Sequence, residues 1–272
     1  MSNITHYFHN LYHLGDNVFN MIFFKIIKYY IEENNIIIYY YCQPEYITQV
    51  SEFNDSPNVI IENINKKPEN SLELWIDKEM KGISWTKIYN KNCQAGLKRS
   101  YYDRFFASFF NKVLEITNIK ITIQTFYYKD SNLKTRYTKV NSLFNNKYRK
   151  IDLLILNSQP MSGQFTYKKA EWDAHITYLN TKYKVVTTTK VDGIACTMDD
   201  NLSIKDIAAI SMRVKIIIAI NSGVVPGLLN KYTLNNVKHV YMFDDRCTFS
   251  YKKFENLDSI KEITFVDINK YI

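Results

Sequence analysis

The chain has 272 residues, 46% of them hydrophobic, with a formal net charge of +8. That length supports two modest domains or one large one, and the apolar fraction excludes disordered, collagen-like and low-complexity classes. No segment approaches the roughly 20 apolar residues that span a bilayer, and no signal peptide is legible, so a cytoplasmic protein is expected.

The excess of Lys and Arg is dispersed. Lys66-Lys67, Lys168-Lys169 and Lys252-Lys253 are isolated pairs and no longer basic run occurs, which argues against a nucleic-acid partner and fits a small anionic ligand at least as well. The four cysteines, Cys42, Cys93, Cys196 and Cys247, lack metal-ligand or disulfide-framework spacing.

In chain order, residues 4–8 read as a strand. His13-Leu14-Gly15-Asp16-Asn17 follows as a turn, then a helix over 18–33. A β-branched and aromatic strand covers 36–41, Pro44 opens a helix to about residue 53, and 59–64 reads as a third strand. Strand, helix, strand, helix, strand is the pattern of a parallel βαβ domain. Between 65 and 97 the pattern weakens, with a strand predicted near 72–76. Residues 99–117 form an amphipathic helix whose aromatics, Tyr102, Phe105, Phe106, Phe109 and Phe110, recur at core-facing spacing. Residues 129–150 are polar and poorly periodic, which places a domain boundary near residue 148.

Beyond it the α/β rhythm restarts: a strand at 151–156, a helix at 167–180, a strand at 184–188. A helix from about residue 202 has Ser203 and Asp206 in capping-box register. Lys215 to Ile220, KIIIAI, has no alternation, as a strand covered on both faces requires. Asn221-Ser222-Gly223 follows at its carboxyl end, where open α/β sheets bind ligands; by itself the tripeptide reads equally as a plain turn. A last strand covers 237–243. Two α/β halves, 1–148 and 149–272, imply a cleft between them.

Taken in order, HLGDN (13–17), IDLLILNSQPMSGQF (151–165), KKAEW (168–172), KVVTTTK (184–190), LSIKDIAAI (202–210) and AINSG (219–223) resemble the GT-B glycosyltransferases, most nearly the heptosyltransferase-like branch. Departures are Asn221 where that family usually has Asp, Val225-Pro226-Gly227 where a His usually follows, and His13 at the first glycine of the family's Gly-x-Gly-Asp loop. The resemblance implies two Rossmann-like domains, the first binding a glycan or glycoconjugate acceptor and the second a nucleotide-diphosphate sugar. The transfer it implies inverts the sugar and uses neither a metal nor a further cofactor.

Such a transfer needs a base for the acceptor hydroxyl and positive potential for the departing diphosphate. Asp16 is the expected base, with Gly15 turning the backbone, His13 orienting the carboxylate and Gly15 and Asn17 touching acceptor. Asp16 reads alternatively as a helix cap. Ser162, Gly163, Gln164, Lys168, Ser222 and Gly223 are expected at the diphosphate. Thr187, Thr188, Thr189 and Thr197 are expected near ribose and base. The Lys pair also fits a solvated helix face, and the threonines ordinary strand composition. Asp199-Asp200 and Asp244-Asp245 are alternative metal ligands; Asp200-Asn201 reads more simply as the cap of the following helix, and Asp244-Asp245 lacks a third acid nearby. Two other readings compete: a nucleotide-binding relative without turnover, and a basic nucleic-acid-binding α/β protein.

Overall fold

The computed structural model describes residues 4–75, 108–109, 112–113, 115–117, 128–161, 163, 165–243 and 260–262. The chain divides into two compact units, Met1–Phe126 and Tyr127–Ile272.

The first unit opens with β1 (Ile4–His9), α1 (Leu14–Ile26), α2 (Lys28–Glu33) and β2 (Ile36–Cys42). After a short 3-10 turn come α3 (Ile47–Ser51), β3 (Val59–Asn63) and a brief β4 (Leu72–Glu73). All pairings are parallel and the order is β3-β2-β1-β4. The sheet buries Phe8, Ile38 and Tyr40 against α1, where Phe24 meets Tyr40 edge-on at 5.9 Å and Phe8 at a tilt at 6.2 Å. Phe109 and Val113, from the predicted 99–117 helix, are fully buried, and Phe109 meets Phe23 and Phe24 edge-on. The other aromatics of that helix, Tyr102, Phe105, Phe106 and Phe110, lie outside the described residues.

Two local expectations change here. The first helix begins at Leu14, so Gly15, Asp16 and Asn17 are its first turn rather than a turn before it. It also breaks at Ile27, whose φ of −101° and ψ of 9° separate α1 from α2.

The second unit begins with α4 (Asn132–Leu143) and β5 (Leu153–Leu156), followed by α5 (Lys169–Asn180), β6 (Val185–Thr187) and the short β7 (Ala195–Cys196). Then come α6 (Ile204–Ser211), β8 (Ile216–Ile220), α7 (Val225–Leu228), α8 (Lys231–Asn236), β9 (His239–Phe243) and β10 (Ile260–Glu262). Its parallel sheet has the order β10-β9-β8-β5-β6-β7, the strand order of a dinucleotide-binding fold. Leu153, Ile155, Ile218 and Ile220 pack under Trp172, Ile176 and Leu179 of α5. Their neighbours Leu154, Leu156, Ile217 and Ala219 are also fully buried, so both faces of the sheet are covered. That double burial is why β5 and β8 are uninterrupted apolar runs.

Residues 127–148, which the sequence places on the first domain's side of the boundary, belong to the second unit. The polar stretch is largely the helix α4. It buries only Leu133, Val140 and Asn141, a stripe too narrow to show as periodicity. Its polar side is tied down by charge instead. Arg136 Nε donates to Asp206 Oδ1 at 2.6 Å and its Nη2 to Ser203 Oγ at 3.1 Å, reinforcing the Ser203/Asp206 capping box at the start of α6. Lys205, on α6, pairs with the buried Asp130 at 2.9 Å. Among the described residues no helix is long and apolar enough to cross a membrane.

Candidate functional site

In each sheet the chain starts at a central strand, winds one way, and then returns to that strand's other side. The switch point lies between β1 and β4 in the first unit and between β5 and β8 in the second. Ligands of open parallel sheets bind beyond the carboxyl ends of the strands at such a point.

At the first switch point β1 ends on His9, and the fully buried Asn10 turns the chain. Its Oδ1 accepts the N–H of Tyr12 at 2.9 Å, and its Nδ2 donates to the Leu74 carbonyl at 3.0 Å, tying the loop to the chain just past β4. Asn10, not Gly15, therefore makes the turn, and no left-handed glycine is needed there because Gly15 is already helical.

Asp16 occupies the first turn of α1. Its Oδ2 accepts the N–H of His13 at 3.2 Å, while its own N–H donates to the His13 carbonyl at 3.1 Å. Asp16 therefore does cap the start of α1. Burial pushes Asp16 up to about 7, against the opposing pull of the His13 N–H. His13 is exposed and Gly15 is buried. Asn17 faces inward: its Nδ2 donates to the Tyr12 and His13 carbonyls, and its Oδ1 accepts from the Tyr40 hydroxyl at 2.7 Å. Its side chain holds the loop from beneath. On the flank of the loop, His9 Nδ1 meets Ser71 Oγ at 3.0 Å, and burial followed by the Lys67 and Lys112 charges pushes the imidazole down to about 4.

At the second switch point a buried asparagine again follows the first strand. Asn157 Oδ1 accepts the N–H groups of Thr188 and Thr189 at 3.1 and 2.8 Å, and its own N–H donates to Thr188 Oγ1 at 3.0 Å. Thr189 Oγ1 returns a bond to the Asn157 carbonyl at 3.1 Å. Thr187 and Thr188 are buried in this clamp, Thr189 is partly exposed at its edge, and Thr197 is buried with its N–H on the Thr187 carbonyl. Ser158 Oγ, partly exposed, lies 3.1 Å from Thr188 Oγ1.

Across from this clamp, β8 runs into Asn221, Ser222 and Gly223. The Ser222 hydroxyl oxygen is buried and finds no hydrogen-bond partner among the described residues. Gly163 is exposed with φ at +65°, a left-handed conformation that favours glycine. Ser162 and Gln164 lie outside the described residues. Lys168 and Lys169 are exposed at the start of α5 and bond Glu171 and Asp173 on their own helix, as a solvated helix face would.

The acidic pair Asp199-Asp200 belongs to a structural knot: Asp200 Oδ2 accepts from Lys147 Nζ at 2.6 Å and from the Tyr148 hydroxyl at 2.5 Å. Asp244 and Asp245 lie outside the described residues, as do Cys93 and Cys247. Cys42 and Cys196 are buried thiols. Among the described residues no group of three or more His, Cys, Asp or Glu is placed to hold a metal ion.

By sequence, no family model and no curated protein matches the chain. By structure, a glycosyl transferase family 9 protein from Veillonella parvula superposes with a TM-score of 0.52 at 12% identity, covering 98% of this chain and 88% of that one. The E. coli ADP-heptose LPS heptosyltransferase II does so with a TM-score of 0.52 at 10% identity, covering 94% and 90%. The fold is GT-B. In this GT-B chain both expected switch-point loops exist, and each is organised by an asparagine that is not among the expected site residues. The signal was present: in HYFHN and LLILN an Asn directly follows the first strand of each half, and in IIIAIN another follows β8.

Proposed function

We propose that this protein moves a sugar from a nucleotide-diphosphate sugar to an acceptor hydroxyl, with inversion and without a metal, using Asp16 as base. One observation carries the reading: in a GT-B fold, a carboxyl pushed up to about 7 stands at the switch point of the first sheet. A base is most effective when its pKa lies near the working pH.

The ionised Asp16 takes the acceptor proton as that oxygen attacks the anomeric carbon. The bond to the diphosphate breaks on the opposite face, which inverts the centre. His13 N–H holds the carboxylate in place. The nucleotide diphosphate leaves toward the Ser222 hydroxyl, the backbone N–H of Gly223 and the loop carrying Ser162, Gly163 and Gln164. Hydroxyl and N–H donors bind such an anion without a cation. Lys168 adds positive potential from a distance, since its ammonium is held by Glu171. Thr189 and Ser158 border the same edge, and the buried Thr187, Thr188 and Thr197 shape it from below. The acceptor is a glycan or glycoconjugate, and the reaction is cytoplasmic.

One structural relative is an ADP-heptose heptosyltransferase, so ADP-sugars head the donor panel. Thermal shift and saturation-transfer NMR with ADP-, GDP- and UDP-sugars test the reading. Binding by at least one class is expected, and binding by none would defeat it.

A further inference from the structure

Tyr12 is 37% exposed in the loop between β1 and α1, yet both its backbone and its ring are held by neighbours. Its N–H is bonded to Asn10 Oδ1 and its carbonyl accepts from Asn17 Nδ2, both asparagines being fully buried. Its ring stacks on Trp75, just past β4, with centroids 4.0 Å apart and planes inclined by 22°. An ordinary surface tyrosine has no such support. The ring is braced from behind by the indole, and its chain is fixed from both sides.

The surroundings are polar in a particular way. Glu73 ends β4 two residues before Trp75, and burial, then the carboxylates of Glu73 and Asp16, push the Tyr12 phenol up. Asp16 is four residues along the same loop and helix start. A supported aromatic face flanked by hydrogen-bond acceptors matches a pyranose: the ring's negative face meets the sugar's axial C–H groups, and the carboxylates accept from its hydroxyls. A lipid chain would gain from the ring but leave the carboxylates without a use.

We propose that the Tyr12–Trp75 pair is a sugar-stacking platform that seats the acceptor pyranose, so that a hydroxyl of that ring reaches Asp16. This deepens the glycosyltransferase reading and rests on it for the identity of the bound sugar as acceptor. The platform presents one aromatic face, so it selects for pyranoses with an uninterrupted patch of C–H groups on one side, such as β-glucosides.

The full chain is titrated with methyl β-D-glucopyranoside and with cellobiose by saturation-transfer NMR, while ADP binding is followed separately by calorimetry. Saturation is expected on H1, H3 and H5 of the glycoside. Tyr12→Ala is expected to weaken glycoside binding roughly three- to tenfold, the range for losing one aromatic contact. Tyr12→Phe keeps the ring and is expected to retain binding. ADP affinity is expected to be equal in all three proteins, which also shows that each is folded. Glycoside binding that is absent in the wild type, or unchanged in Tyr12→Ala, overturns the platform. Should glycoside binding depend on Tyr12 while no nucleotide or nucleotide sugar binds any variant, the platform stands and the glycosyltransferase reading falls.

Discussion

Asn157 Oδ1 accepts the N–H of Thr189 at 2.8 Å, joining the end of β5 to the chain leaving β6. The same oxygen also takes a share of the Thr188 N–H, which donates to the Ile155 carbonyl at 3.0 Å as well, so the Thr189 N–H is the donor that depends on this buried side chain. Asn157→Ala strands the Thr189 N–H, while Thr188 keeps the Ile155 carbonyl. We expect a loss of roughly 1–3 kcal/mol in urea unfolding, with weakened nucleotide binding at the same edge. A loss below about 0.5 kcal/mol would mean the clamp is redundant.

Asp16→Asn is expected to lower kcat roughly 10²- to 10⁴-fold while nucleotide binding persists. In the wild type kcat/KM should rise with pH through about 7 and then level off, as the base ionises. Stability moves the other way. A carboxyl raised to about 7 holds its proton more tightly folded than unfolded, so its contribution is full below about pH 4 and is lost as pH rises through about 7. Asp16→Asn cannot ionise and should gain on the wild type by up to about 4 kcal/mol between pH 4 and pH 8. Thermal unfolding at both pH values measures this, and a pH-independent gap would refute the raised pKa of Asp16.

Ser222→Ala separates function from folding. The hydroxyl has no partner among the described residues, so its removal should leave stability unchanged or raise it by about 1 kcal/mol. Calorimetry with ADP should nevertheless show about tenfold weaker binding if the hydroxyl serves a diphosphate.

His9 predicts an acid limb. Its imidazole is pushed from 6.5 down to about 4, so the folded state binds the proton less readily than the unfolded chain. Its stabilising contribution is present above about pH 6.5 and is lost as pH falls through about 4. His9→Asn should reduce the loss of stability between pH 7 and pH 4 by about 1–3 kcal/mol, read from urea midpoints of the two proteins.

Gly227 marks a close approach of α7 to α6. A Cβ there would lie 2.9 Å from Ile204 Cγ2 and 3.2 Å from the Ile204 carbonyl oxygen. Gly227→Ala should cost about 1–3 kcal/mol through this overlap, measured by thermal unfolding. Gly193 has nothing within 4 Å but a φ of +75°, so its substitution would cost backbone strain rather than packing.

Sequence alone was enough for the alternation of strands and helices, because burial writes itself into periodicity. KIIIAI reads as a doubly covered strand, and β8 has both faces buried. The Ser203/Asp206 cap was equally legible, since its partners are three residues apart. The helix α4 was not, because its stability comes from Arg136 meeting Asp206 and Lys205 meeting Asp130, pairs distant in sequence. The site divides in the same way. Asp16 was visible as a carboxyl at a strand-to-helix turn. The burial that raises its pKa, the Asn10 and Asn157 clamps and the stacking of Tyr12 on Trp75 each join segments far apart in the chain. Local pattern fixes which elements form, while sheet order, a long-range property, decides which side chains meet at the switch points.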